Sequence, residues 1–226
     1  MASSARRPLL INHNASPEQL PHHAPAATEA IMRFHRSMPG YAPTPLIPLK
    51  DVAAELGVRE VHLKFEGHRL GLPSFKILGA SWATFRALTR DLGLPLETSL
   101  ADLKAALREK STPVRLFAAT DGNHGRALAR MGSLLGLAVQ IYVPAGLNPE
   151  AIRGIREEGA QVEELNLSYD GTVQAAFEEA GKTPGGVFIE DTAFAGYEEI
   201  PQVRCAPNPR FDCMLTRALS VVSSGW

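Results

Sequence analysis

From about residue 51 onward, short apolar runs alternate with amphipathic stretches. "VHLKF" (61–65), "RLFAA" (115–119), "AVQIYV" (138–143), "QVEEL" (161–165) and "GVFIE" (186–190) have the length and composition of strands. Helical periodicity fills the intervals. One helix is predicted over 75–91, with Leu78, Trp82, Phe85 and Leu88 at helical spacing, and another over 124–135, with Leu128, Met131 and Leu135 on one face. Asn148 caps a third, which opens with Pro149 and closes at Gly159, the usual asymmetry of helix ends. A fourth runs from about Asp170 to Ala180. Strands alternating with helices predict βαβ units, hence an α/β fold: an open parallel-sheet sandwich with helices on its faces. Such sheets bind ligands beyond the carboxyl ends of their strands. The loops after Phe65 and Ala119 are therefore expected at one common edge.

The first fifty residues lack this pattern. Residues 1–50 read as an irregular segment with a short helical stretch around "ATEAIMRFHRSM" (27–38), followed by "PGYAPTPLIPL" (39–49). Four prolines in those last eleven residues fix φ and bias their predecessors away from the helix, so the stretch is expected to run extended as a surface strap. Residues 51–202 hold the α/β domain, and 203–226 show no βαβ period.

Composition narrows the function classes. A 226-residue chain with 45% hydrophobic and 21% charged residues can bury a sizeable core. Net charge is −1 without a long block of Lys or Arg, so neither nucleic acid nor an anionic membrane is an expected partner. Cys205 and Cys213 are spaced unlike a zinc knuckle or a redox pair, which suits a reducing compartment. The start has no apolar signal region and no segment is long enough to span a bilayer, so a cytoplasmic location is expected; a Ser- and Arg-rich beginning leaves a mitochondrial address open. His22 and His23 read as a solvated surface pair rather than a metal site, and no metal is expected.

Two loops carry candidate chemistry. In "GLPSFKILGA" (71–80), Lys76 sits at a helix start in apolar surroundings, where the macrodipole and burial both disfavour a positive charge. Its amine is expected to titrate below the reference of about 10.4, as suits an amine that forms a Schiff base with a carbonyl. A lysine snorkelling to the surface is the plain alternative. In "TDGNHG" (120–125), Thr, Asp, Asn and His stand between a buried strand and a helix. A simple turn would use Asp, Gly and Asn as well. It does not need so many side-chain donors and acceptors, and a helix N-terminus offers amides to an anion, which favours a binding loop.

"PSFKILGASWA" together with "AATDGNHGRALA" resembles the β-family (fold type II) of pyridoxal-phosphate enzymes. "FHRSMPGYAPTPLIPL" (34–49), "GHRLGLPSFKILGAS" and "EDTAFAGYEEIP" (190–201) narrow the resemblance to the diaminopropionate ammonia-lyases, over roughly residues 30–202. The resemblance implies pyridoxal 5'-phosphate as cofactor, held covalently by Lys76, which would later shuttle the α-proton. It implies that Phe75 walls the ring, that Asn123 bonds the phenolic oxygen, and that Gly122 and His124 belong to the same cofactor loop. Asp121 would serve the D-configured substrate from the face opposite the lysine. Asp191 would grip the substrate amine or support Asp121, with an ordinary loop carboxylate as the even alternative. The implied reaction is α,β-elimination from 2,3-diaminopropionate or a related amino acid to pyruvate and ammonia.

The chain also departs from that family. "KFEGHR" replaces an acidic, hydroxyl-bearing stretch before the lysine, and "QVRCAPNPRFDCMLTRALSVVSSGW" stands where a second half with a phosphate loop is expected. Gly185 and Gly186 precede a strand, the wrong order for cradling a phosphate at a helix start. The sequence therefore predicts an incomplete fold with an unrelated tail at 203–226. Either it is an ammonia-lyase, as a homodimer or with help from a partner, or it is a non-catalytic, partner-binding remnant. Within enzymes, a serine or threonine dehydratase is the alternative.

Overall fold

The computed structural model describes residues 25–194 and Tyr197, with side chains from residue 29 onward. His22, His23, both cysteines and the 203–226 segment lie outside the described residues. Helix α1 (Pro25–Ser37) leads through the strap to strand β1 (Leu46–Pro48), helix α2 (Lys50–Leu56), strand β2 (His62–Lys64) and helix α3 (Lys76–Asp91). Helix α4 (Leu100–Arg108) precedes strand β3 (Arg115–Ala119), helix α5 (Asn123–Leu135), strand β4 (Ala138–Pro144) and helix α6 (Pro149–Glu157). Strand β5 (Gln161–Leu165), helix α7 (Tyr169–Lys182) and strand β6 (Gly186–Phe188) complete the series. The fold is α/β, with β5, β4, β3 and β6 side by side in one parallel sheet.

The stretch "VHLKF" is a strand but does not belong to that sheet, as the sequence pattern had implied. Strand β2 pairs antiparallel with β1, Leu46 opposite Lys64 and Pro48 opposite His62. The physical reason lies in the side chains. A strand buried on both faces of a parallel sheet is a nearly continuous apolar run, as "RLFAA" is, whereas His62 and Lys64 alternate with Leu63 and suit a ribbon with solvent on one side. Proline in β1 can donate no ladder bond and fits only an edge. The strap is thus tied down by backbone bonds from Leu49 N to Val61 O and from Phe65 N to Pro45 O. Helix α4 had no counterpart in the sequence reading; Ser99 Oγ caps it by accepting from Asp102 N, and Leu103 and Leu107 bury its apolar side.

Period-two alternation along β3 divides the core. Leu116 and Ala118 join the cluster beneath α1, α3, α5 and α6, while Phe117 and Ala119 join the cluster beneath α7 with Phe188, Val173 and Ala176. Helix α3 is anchored on α1 by rings, with Phe34 at 4.6 Å and Trp82 at 5.5 Å from Phe85. Among the described residues no helix is long and apolar enough to cross a membrane.

One buried histidine makes this anchoring sensitive to pH. His35 on α1 bonds the Leu78 carbonyl of α3 through Nε2 at 2.9 Å, and burial lowers its pKa from 6.5 to about 4. A histidine whose folded pKa lies below its unfolded one binds more protons when unfolded, so stability is full above pH 6.5 and is lost as pH falls toward 4. The expected loss over that window is about 3 kcal/mol. Urea unfolding of wild type and His35→Gln at both ends of the window checks it. The variant should lose most of the acid dependence, and an unchanged slope would refute the assignment.

Candidate active site

The chain entering α3 is held from two sides. Arg69 is buried and pairs with both Glu66 oxygens, through Nε at 2.6 Å and Nη2 at 2.5 Å, while Nη2 also donates to Thr44 Oγ1 of the strap at 2.8 Å. Burial pushes the Glu66 carboxyl up, but the bonds from Arg69 and Thr44 and the charges of Arg69 and Lys64 outweigh it and hold the pKa below its ordinary value. Leu70 then takes a left-handed φ of 52°, uncommon for a bulky residue, and its carbonyl accepts from Arg130 Nη1 of α5 at 3.1 Å. Arg130 in turn pairs with the mostly buried Glu158. Two ion pairs therefore brace the turn that delivers Phe75 and Lys76 to the start of α3.

Lys76 is the first residue of α3, and its ammonium pairs with the Asp191 carboxylate that follows β6. The lysine side chain remains 33% exposed and Asp191 12% exposed, so the amine is neither snorkelled away nor sealed off. The carboxylate favours the charged amine, against the dipole and desolvation considered from sequence alone. Phe75, beside it, is 46% exposed.

At the neighbouring strand end, β3 runs into the turn of residues 120–122. Gly122 adopts φ 140°, which a side chain would strain, and Thr120 Oγ1 accepts from both Gly122 N at 3.0 Å and Gly125 N at 3.1 Å. The Thr120 methyl lies where a Cβ on Gly125 would fall, at 2.4 Å, so the glycine lets the helix start close over the threonine. Asp121 and Asn123 are exposed at this end, whereas His124 is buried and bonds the Ile189 carbonyl through Nε2 at 2.7 Å. His124 thus couples the turn to the segment after β6.

That segment completes the edge. Glu190 is wholly buried, with Oε2 accepting from Ala119 N at 3.0 Å and Oε1 from Asp191 N at 2.7 Å. Tyr197 donates through its hydroxyl to Phe188 O at 3.0 Å and accepts from Glu190 N at 2.7 Å. Tyr169, at the start of α7, is pushed up to about 12 by burial, then by the charges of Glu190 and Asp121, against a bond with Thr192. Lys76, Asp121 and Asp191 therefore share one edge, and Lys76 touches Asp191 directly. Sequence reasoning assigned no role to Thr120, Tyr169 or Glu190. Thr120 had a signal, a hydroxyl just before a helix cap; Glu190 had none, since an acidic residue at a strand end reads as a loop carboxylate.

This donor set fits the carbonyl and ring side of pyridoxal phosphate: an accessible amine, an adjacent aromatic ring and an exposed amide at a helix start. Its phosphate would call for amides at a helix start. At three helix starts one first-turn amide is already engaged: Gly125 N of α5 donates to Thr120 Oγ1, Glu150 N of α6 to Asn148 Oδ1 and Gly171 N of α7 to Ser168 Oγ. Gly185 and Gly186 lie at the opposite edge, Gly186 opposite Arg115 at the beginning of β3, where they permit close approach to the backbone of Pro113 and Ala180.

Comparison with known proteins identifies the family. The family model for pyridoxal-phosphate dependent enzymes matches residues 38–202, and the chain belongs to that family. Diaminopropionate ammonia-lyase of Salmonella typhimurium is 39% identical over 173 residues, covering 76% of this chain and 43% of that protein. The Escherichia coli enzyme is 38% identical over 75% of this chain and 42% of its own length. The chain thus spans less than half the length of the curated relatives it matches. The crystal structure of the Escherichia coli lyase in complex with D-serine superposes with a TM-score of 0.77 at 30% identity, covering 90% of this chain and 53% of that one. Threonine deaminase isoform 2 from Solanum lycopersicum, at TM-score 0.55 and 20% identity over 83% of this chain and 46% of that one, shares the fold.

Proposed function

We propose that this chain carries the lysine side of a pyridoxal-phosphate-dependent ammonia-lyase site for 2,3-diaminopropionate or a closely related amino acid, with pyruvate and ammonia as products. The observation that carries the reading is the Lys76 amine set against Asp191 at the strand-end edge that also presents Asp121. When bound, pyridoxal phosphate supplies an electron-accepting ring that makes the α-proton of an amino acid removable. Lys76 would hold the cofactor, and its amine would be the base for one face of the α-carbon. Asp121 is the base for the other face. Asp191 keeps an anion beside the amine, Phe75 would shield the ring from water, and Asn123 would donate to the ring's hydroxyl oxygen. Gly122 and His124 hold the turn that presents Asp121 and Asn123.

A second reading, in which catalysis needs another chain or does not occur, is favoured by the first-turn amide already engaged at each start of α5, α6 and α7. A visible absorbance band in purified protein mixed with cofactor separates cofactor binding from its absence. Ammonia release from each enantiomer of 2,3-diaminopropionate then tests the reaction. Asp121→Asn is expected to lower kcat/KM for the D-enantiomer by about 100-fold or more, the usual scale of a lost general base, with a smaller effect on the L-enantiomer. Equal losses, or turnover of L-serine or L-threonine alone, would replace this reading with a dehydratase.

A further inference from the structure

The deepest carboxylate at the site edge is bound by the backbone. Glu190 is 0% exposed, and its two oxygens accept from backbone amides on two different segments, Ala119 at the end of β3 and Asp191 after β6. Its own amide donates to Tyr197, whose hydroxyl reaches back to Phe188 of β6. A loop carboxylate would stay in water, because burying one costs several kcal/mol unless hydrogen bonds compensate. Here the compensation comes from the joint between the two strands that carry Asp121 and Asp191.

We propose that Glu190 is a positioning residue: its carboxylate clamps the last amide of β3 to the amide of Asp191, and so fixes the Asp191 side chain against the Lys76 amine. The inference rests on the cofactor role of Lys76 proposed above. Both bonds require an acceptor, and a carboxylate has two. Glutamine keeps the shape but has one acceptor oxygen and must turn an NH₂ group toward the other backbone N–H. One arm of the clamp then opens while packing volume is conserved. Titratable groups facing this joint include Asp191 and Tyr197 after β6, Lys76 from α3, Tyr169 from α7, and Asp121 and His124 from the β3–α5 turn. Asp191 donates its amide to Glu190 and pairs its carboxylate with the lysine amine, and it is the route by which Glu190 is proposed to act.

The test reads Lys76 rather than turnover. The full chain is mixed with pyridoxal phosphate, fixed with borohydride across a pH series, and the labelled Lys76 peptide is quantified. Asp191 favours the charged amine, so loosening it lets Lys76 react at lower pH. Glu190→Gln should move the labelling midpoint down by about one pH unit, and Asp191→Asn at least as far. In the Asp191→Asn background, Glu190→Gln should add no further shift, because its effect passes through Asp191. An unchanged midpoint in Glu190→Gln, or a full extra shift in the double variant, overturns the proposal. Wild-type protein that never labels at Lys76 overturns the cofactor reading instead. The clamp is then read in wild-type protein by amide NMR, as it is if Glu190→Gln fails to fold. The Ala119 and Asp191 amide protons should both lie downfield and move together on acidification; independent behaviour refutes the clamp.

Discussion

Lys76→Ala will abolish the borohydride-fixed incorporation of pyridoxal phosphate and any ammonia release, while the domain stays folded. In the reading proposed above this amine is the reacting group, and other lysines with described bonds are turned elsewhere: Lys64 donates to the Thr44 carbonyl, Lys104 to the Leu134 carbonyl and Lys110 to the Asp91 carboxylate, while Lys182 pairs with Glu178. The structural effect is small because a third of the lysine side chain lies in water. The expected stability change is about 1 kcal/mol, the scale of a solvent-accessible ion pair. Peptide mapping after reduction, with circular dichroism of the same samples, checks both halves. Label retained in Lys76→Ala, or a wild-type label on another lysine, would overturn the assignment.

The largest stability effect is expected one face away from the chemistry. Phe85 is fully buried in the middle of α3, packed on Phe34 and Trp82. Phe85→Ala removes a ring from a site walled by other rings and by α5, where collapse is limited, so it should cost about 3–5 kcal/mol. Urea unfolding measures it. The same variant should label Lys76 less at every pH without moving the midpoint, because the helix start loosens while the Asp191 pair keeps its chemistry. A cost below about 1 kcal/mol would mean that the ring contacts between α1 and α3 do not hold the helix in place.

Most of the parallel sheet was legible from local patterns. "RLFAA" coincides with β3, and Asn148 with Pro149 starts α6 as expected, its side chain accepting from Glu150 N. Continuous apolar runs and capping residues act over a few positions, so their signal survives in one dimension. The strand "VHLKF" was found, but its partner was not. Which strand pairs with which depends on chain closure over long separations, and the proline-rich strap offered its carbonyls at Pro45 to an exposed ribbon. Helix α4 is short and was passed over, although Ser99 and Asp102 mark its start.

The sequence by itself determined that Lys76 opens a helix, that Asp121, Gly122 and Asn123 form a strand-to-helix turn, and that strands and helices alternate. Each follows from residue types a few positions apart. Only the tertiary structure decided that Asp191, 115 residues from Lys76, sits on its amine, and that Glu190 beside it turns inward to join Ala119. A carboxylate next to another in sequence carries no mark of its direction. Successive residues at a strand end point to opposite sides, and what each one meets is set by the strand placed next to it, here β3 beside β6.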